Sequence, residues 1–346
     1  MLKKNEKEII SVLQNHSNLS SKEIYDELKL SIGYTSVKRI LTTLKKNGLI
    51  QTTGKGKSTK YNISLSYQLF VPIDIEQYFE KEIDEREIIE SFNLILIEQV
   101  LSKIELFTND ELIKLNQLQN NFVTNVSKLS GTQYKKEFEK LAIDLSWKSS
   151  QIEGNTYSLL ETERLLKEKE TASGKTKDEA VMLLNHKDAI DFILENPSYV
   201  NPLSVARIED IHSLLIKELG GDRNIRSRRV GITGTNYRPL DNEFQIKEAL
   251  TSMCLVINKR ENIFEKALLA LVLISYIQAF NDGNKRTARI ISNAILISNK
   301  YCPISFRTID SIEYKKAMLI FYEQNNITVF KGIFMEQFEF ATRTYF

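Results

Sequence analysis

The chain has 346 residues, room for two or three domains, with 42% hydrophobic residues and a formal net charge of +2. That apolar share supports a buried core in a soluble globular protein, while the near-balance of 47 basic and 45 acidic residues excludes a whole-molecule case for nucleic-acid or membrane binding. Cys254 and Cys302 are too few for a disulfide framework, and His16, His186 and His212 are too scattered for a metal cluster.

The N-terminus, MLKKNEKEIISVLQ, lacks the apolar core of a signal peptide. The stretch ALLALVLISYIQAF is too short and interrupted to span a bilayer, so a cytoplasmic location without membrane contact is expected. Residues 5–65 carry three short helical patterns and a turn-rich basic tail. Ser20 with Glu23 forms a capping box ahead of apolar Ile24 and Leu28. In YTSVKRILTTLKKNGL the buried stripe is Val37, Ile40, Leu41 and Leu44, and Gly48 stands where the helix stops. LIQTT and KYNIS then flank GKGKST, which predicts strand, cationic tip and strand.

Helix, helix, basic helix and hairpin resembles a winged helix-turn-helix, a DNA-binding class. No acidic residue occurs from Leu28 to Ile73, while Lys29, Lys38, Arg39, Lys45, Lys46, Lys55, Lys57 and Lys60 accumulate. Cations on a groove-facing helix and a wing displace counterions from a duplex, so double-stranded DNA is the expected partner. Ser36, Lys38, Arg39, Thr42 and Lys45 lie on the outer face of the third helix, with Lys38, Arg39 and Thr42 as base-edge candidates; Lys55 and Lys57 are backbone-contact candidates. The alternative is a small solvated domain used for dimerisation or protein contact, and a homodimer stays open.

Residues 1–66 are thus read as the winged helix-turn-helix domain, 67–110 as a linker and connecting helix, and 111–346 as a second domain. Ile88, Phe92, Ile95 and Leu96 have helical spacing, so the acidic stretch before Leu101 is expected to form one long, solvated helix. GKT at Gly174–Thr176 lacks the strand and glycine of a phosphate loop and reads as an interhelical connection.

QAFNDGNKRTAR, from Gln278 to Arg289, follows an all-round apolar helix and precedes a second buried one. The turn therefore sits at a helix N-terminus, where unpaired amides and the dipole favour an anion. Gly283 can adopt positive φ, Asn284 adds an amide, and Lys285, Arg286 and Arg289 add charge. Asp282 repels a bare anion but fits one arriving with Mg²⁺, so a nucleotide polyphosphate with a metal is the expected ligand.

This stretch resembles the central motif of the Fic/Fido family, His-x-Phe-x-Asp/Glu-Gly-Asn-Gly/Lys-Arg-x-x-Arg, matched by Phe280, Asp282, Gly283, Asn284, Lys285, Arg286 and Arg289. SSQIEGN resembles the family's inhibitory-helix motif through Ser149, Glu153 and Gly154, on a helix near residues 138–154. RVGITGTNYRP resembles the family's flap hairpin, which holds a target segment beside the nucleotide, with Ile232, Gly234, Thr235 and Tyr237. The resemblance covers residues of about 110 to 346 and implies a mainly α fold: an all-α core with a β-hairpin flap, behind the winged helix-turn-helix domain.

It further implies AMP transfer from ATP to a Ser, Thr or Tyr hydroxyl of a target protein, or phosphate transfer as in the Doc toxin. Asp282 would hold Mg²⁺, Gly283 and Asn284 would line the anion hole, and Arg286 and Arg289 would bind the distal phosphates. Glu153 would reach Arg289 and keep the enzyme idle. Its place at a helix C-terminus, the negative end of the dipole, independently calls for a cation. Gln278 stands where the family has its catalytic histidine, and a carboxamide has no useful basicity. Three readings follow: an autoinhibited adenylyltransferase weakened by Gln278, an ATP-binding pseudoenzyme that regulates transcription through the winged helix, and a Doc-like phosphotransferase.

Overall fold

The computed structural model describes residues 3–28 and 32–346. Lys29 lies outside these residues, as does the side chain of Lys57. The chain divides into two compact units, Met1–Ile73 with Gln324–Thr328, and Asp74–Glu323 with Val329–Phe346.

In the first unit, helices α1 (Lys4–Asn15), α2 (Ser21–Glu27) and α3 (Tyr34–Lys46) precede strands β1 (Ile50–Thr53) and β2 (Lys60–Ile63). A single-turn helix, α4 (Leu65–Gln68), follows. Ser20 accepts from the Glu23 amide while the Glu23 carboxylate accepts from the Ser20 amide, so two orphan donors of α2 are satisfied together. Ile9, Ile10, Leu13, Ile24, Val37, Leu41, Leu44 and Ile50 form the core. Helix α3 stops at Gly48, whose φ of +72° starts the reversal, and Leu49 N–H closes it on Leu44 O at 3.0 Å. β1 and β2 pair antiparallel from Ile50↔Ile63 to Thr53↔Lys60. This is a winged helix-turn-helix. No sequence pattern announced that Gln324–Thr328 belongs to this unit. Asn326 Nδ2 donates to Gln68 O and Val71 O at 2.9 and 2.6 Å, and Ile327 N–H donates to Leu69 O.

The second unit is helical: α5 (Ile75–Glu80), α6 (Asn109–Val126), α7 (Gly131–Ile152), α8 (Leu159–Glu168), α9 (Lys177–Glu195) and α10 (Val205–Leu215). Then come α11 (Glu243–Lys259), α12 (Ile263–Ile277), α13 (Asn284–Ser298), α14 (Ser311–Gln324) and α15 (Thr328–Thr344). Buried on every side, α12 packs along α13. Gly174–Thr176 lies in the connection between α8 and α9. Among the described residues, no helix is long and apolar enough to cross a membrane.

Two expectations need correction. The long connecting helix is absent: α5 ends at Glu80, a short 3₁₀ turn covers Ile83–Glu85, and helical order resumes as a π-type stretch at Leu96–Leu101. Between them the backbone bonds elsewhere. Ile89 N–H donates to Glu323 O, Glu90 O accepts from Arg238 N–H, and Asn93 N–H donates to the Tyr276 hydroxyl. Glu80, Glu82, Asp84, Glu85, Glu87 and Glu90 would also repel one another along a helix. Nor is the segment simply solvated, because Arg86 is buried against Glu323 at 3.1 Å.

The flap is present as a loop, not as a β-hairpin. The chain turns at Thr233–Gly234, with Gly234 at φ +91°, but the arms form no ladder. A buried guanidinium does the cross-linking instead. Arg226 donates to Gln278 O, Arg228 O and Leu240 O at 2.6, 2.7 and 2.5 Å. Tyr237 is buried in a stack with Tyr276 and Tyr322, so it faces the core and not a ligand.

Replacing Arg226 leaves those carbonyls without their shared donor. Arg226→Ala is expected to lower the unfolding free energy by about 3 kcal/mol, read as a shift of the urea midpoint at constant slope. A change within about 0.5 kcal/mol would show that the flap stands without it.

Candidate functional site

Helix α12 ends where Gln278 turns left-handed, at φ 53° and ψ 54°. Its carboxamide faces inward. Nε2 donates to Ser275 O at 2.7 Å and to the Tyr322 hydroxyl at 3.3 Å, while Oε1 accepts from Asn284 Nδ2 at 3.2 Å. Asn284 in turn accepts from Phe280 N–H and donates to Phe280 O, at 2.9 and 2.7 Å. Its amide is therefore committed to holding the turn closed.

Phe280 stacks on the His212 imidazole with ring centres 3.6 Å apart. His212 Nε2 lies 2.9 Å from Asp282 O, and burial lowers its pKa. Gly283 has φ +80°, and a β-carbon there would meet His212 and Ile216 atoms at 3.3 Å. Only glycine fits this close approach without displacing a neighbour. The turn delivers the first amides of α13 to one place, beside the side chains of Lys285, Arg286 and Arg289.

Those cations are already paired. Arg289 is fully buried; its Nε donates to Ser149 Oγ at 2.7 Å and its Nη2 to Ser149 O at 3.0 Å and Glu153 Oε1 at 2.7 Å. Lys285 Nζ reaches the other Glu153 oxygen at 3.2 Å. Glu153 caps the C-terminus of α7, and Gly154 at φ +101° turns the chain away. Burial alone would raise the Glu153 pKa, but Arg289 and Lys285 outweigh it and hold the carboxyl down to about 2. Arg286 donates to Asp282 Oδ2 at 2.6 Å, while Asp282 stays 71% exposed.

The sequence shows the histidines only as too scattered for a metal cluster, with no place in the fold. His186 Nε2 lies 2.6 Å from Ser149 Oγ, and burial with nearby Arg289 holds its pKa well below the usual value. Ser149 Oγ thus lies between the imidazole and the guanidinium, and its oxygen receives Arg289 Nε–H. Asn293 is likewise structural, clamping Arg289 O and Ile304 from both ends of its amide. Neither role has a signal in spacing, because Ser149 lies 37 residues from His186 and Ile304 lies beyond the end of α13.

A surface groove of about 590 Å³, lined in part by Glu98, Lys103, Ser252, Lys259 and Arg260, shares no lining residue with this turn. Of the flap residues, Ile232, Gly234 and Thr235 are half-buried. On the winged helix, Lys38, Arg39, Thr42, Lys45 and Lys55 are exposed and Ser36 is half-buried. Lys38 Nζ sits 4.5 Å over the Tyr34 ring, Lys45 donates to Thr52 Oγ1, and Lys60 is paired with Glu23.

Residues 202–296 match the Fic/DOC family model and residues 2–118 the penicillinase repressor model. The protein adenylyltransferase Fic of Nematostella vectensis is 28% identical over 172 residues, which cover 48% of this chain and 40% of that protein. The match thus spans about two fifths of that relative's length. Among solved structures, Fic-1 (residues 134–508) from C. elegans superposes with a TM-score of 0.60 at 19% identity, covering 68% of this chain and 72% of its own. A Fic domain-containing signalling protein from Bacteroides thetaiotaomicron gives 0.57 at 19% identity, covering 66% of this chain and 94% of its own. These likenesses show the fold. The segment that matches the Fic/DOC family model holds α12, the inward-turned motif loop and α13 as far as Leu296.

Proposed function

We propose that the chain is a Fic-type protein adenylyltransferase, acting in the cytoplasm, which transfers AMP from ATP to a Ser, Thr or Tyr hydroxyl of a target protein and is held off by Glu153. The observation that carries this reading is the Glu153 carboxylate held by Arg289 and Lys285 beside the N-terminus of α13. A carboxylate there occupies the position that suits a phosphate: a buried guanidinium and an ammonium, both from the start of α13, converge on one anion. Release of Glu153 would leave Arg289 and Lys285 for the distal phosphates.

The donor set fits ATP. Among the described residues Arg286 Nε and Thr287 Oγ1 are buried without a hydrogen-bond partner, and both belong to the first turn of α13. No group of three or more His, Cys, Asp or Glu able to hold a metal occurs among the described residues, but exposed Asp282 suits a Mg²⁺ ion whose other ligands are phosphate oxygens and water. Bound Mg²⁺ would supply charge neutralisation along the polyphosphate. In the transfer, the target hydroxyl oxygen bonds to the α-phosphorus, pyrophosphate leaves, and the hydroxyl proton has to pass to a base.

The base is what this chain lacks. Gln278 cannot accept the proton, and burial raises the pKa of its neighbour Tyr322 far above the ordinary phenol value. One specific observation therefore favours a second reading: a carboxamide turned onto Ser275 and Tyr322 suits binding without turnover. The chain would then be an ATP-responsive regulator acting through its winged helix. A Doc-like phosphotransfer lacks such support.

Intact mass after incubation with Mg·ATP separates these readings for the protein as it stands, Glu153→Gly, Gln278→His and the double variant. The double variant is expected to gain AMP, and Glu153→Gly to react slower by about 10² to 10⁴ while binding the nucleotide equally well. Failure of Glu153→Gly to bind Mg·ATP would end both nucleotide readings. A phosphate-sized adduct would assign the Doc type.

The clasp also has a pH signature. A carboxyl lowered from 4.5 to about 2 stabilises the fold fully above pH 4.5, and the effect fades as pH falls through 2. At about 1.4 kcal/mol per pH unit, the difference is on the order of 3 kcal/mol. Chemical denaturation of Glu153→Gln should show a stability deficit that is constant from pH 5 to 8 and closes toward pH 2. A deficit independent of pH throughout would remove the charge from the account.

For the winged helix, binding to a random-sequence duplex should fall steeply with salt, and Lys55→Ala should reduce the log–log slope by about one. If the regulator reading holds, Mg·ATP changes this affinity for the Glu153→Gly form. An identical curve with and without nucleotide would leave the winged helix uncoupled from the site.

A further inference from the structure

The flap return arm is already paired. Arg238 N–H donates to Glu90 O at 2.7 Å, and Ser91 forms a parallel β-bridge with Arg238. Three side-chain contacts continue the pairing toward the flap turn. The Arg238 guanidinium lies 3.4 Å from the Glu90 carboxylate, Asn236 Nδ2 donates to Asp84 Oδ1 at 2.8 Å, and Arg86 Nη2 donates to Gly234 O at 2.8 Å. Behind the strap, Ile89 N–H bonds to Glu323 O at 2.7 Å, Arg86 pairs with Glu323, and Phe92 stacks on Tyr276. The segment that sequence periodicity assigns to a helix is instead spent on an extended course along the flap.

We propose that Gly234–Arg238 is a strand-addition surface for an extended acidic chain segment, and that Asp84–Ser91 of this chain fills it, so that a target segment binds only by displacing its own strap. The proposal rests on the reading of the flap as the element that holds the target. Strand addition takes affinity from backbone hydrogen bonds and selectivity from side chains at alternate positions. Here the backbone bond is Arg238 to Glu90, and the selectivity is charge. The strap contributes Asp84 and Glu90, and the flap side presents Asn236 and Arg238.

The strap is held unequally along its length. Arg238–Glu90 is an exposed pair, with side-chain accessibilities of 77% and 64%, whereas Arg86–Glu323 is at 3% and 1%. Exposed pairs are worth little and a buried one is costly to break. The Glu90–Ser91 end therefore releases first, while Arg86 keeps the strap anchored for return.

The test uses three full-length forms: Ser91→Cys with Arg238→Cys oxidised, the same protein reduced, and Ile89→Pro with Glu90→Lys. Paired strands run about 4.8 Å apart, inside the Cα range of a disulfide, so the first form locks the strap. The last removes the Ile89 donor and turns the Glu90 pair repulsive. The probe is a fluorescein-labelled peptide of residues 84–92, followed by anisotropy. The loosened form should bind it at least tenfold more tightly than the oxidised lock, and reduction of the lock should restore part of that difference. Equal binding in the oxidised and loosened forms, or no binding to the loosened form, overturns the proposal. Each form also carries Glu153→Gly for a parallel Mg·ATP titration. Retained nucleotide binding certifies the fold, and its loss in all three forms counts against the proposed function and not against the strap.

Discussion

Arg289 is a guanidinium with no exposure, and the site is arranged around that fact. A buried charge left alone costs about 3–5 kcal/mol, whereas a carboxylate at the wrong end of a helix dipole costs about 0.3–1 kcal/mol. The first term wins, so α7 tolerates Glu153 at its C-terminus. Ser149 and His186 complete the arrangement. Ser149 Oγ lies against the neutral His186 ring and receives Arg289 Nε–H, and Ser149 O receives Nη2–H, so the guanidinium has polar partners beyond the carboxylate.

The turn ahead of α13 is rigid for a separate reason. Gln278 and Asn284 exchange a side-chain hydrogen bond, Asn284 binds both backbone groups of Phe280, and the Phe280 ring lies flat on His212. Gly283 closes against the same imidazole. The glutamine is thus a full member of the turn's hydrogen-bond network even though it has no proton-accepting chemistry to offer. Loop geometry and chemical competence separate at this residue: the fold keeps the first while the side chain withdraws the second.

Much of this was legible locally. Capping of α2 by Ser20 and Glu23, the arrest of α3 at Gly48 and the all-round burial of α12 follow from propensity and period, which act over a few residues. The turn from Phe280 to Arg289 was legible as a glycine turn that opens a cation-bearing helix, because glycine, amide and cations recur within one helix start. What sequence could not yield is partner choice across long separations. Nothing near Arg226 shows that it joins three carbonyls, and nothing near Arg86 shows that Glu323 waits for it. The Ile88–Leu96 spacing failed for the same cause. Its backbone groups found Glu323, Arg238 and Tyr276, and those tertiary bonds outweighed a weak helical preference.

Glu323 is where these long-range ties meet. Its carbonyl accepts from Ile89, its carboxylate holds Arg86 and Tyr78, and its peptide bond leads to Gln324, the first residue of the short segment that belongs to the winged-helix unit. Arg86 in turn bonds to the flap turn at Gly234. A buried ion pair is weak evidence for stability, because an apolar pair of similar volume often does as well. It is stronger evidence for a fixed register. An apolar contact could slide along the strap, but a guanidinium divided between Glu323 and Gly234 O admits one alignment of Asp84–Ser91 against the flap. The same alignment sets where the strap ends, and so which residue, Ser91, comes to lie beside Arg238.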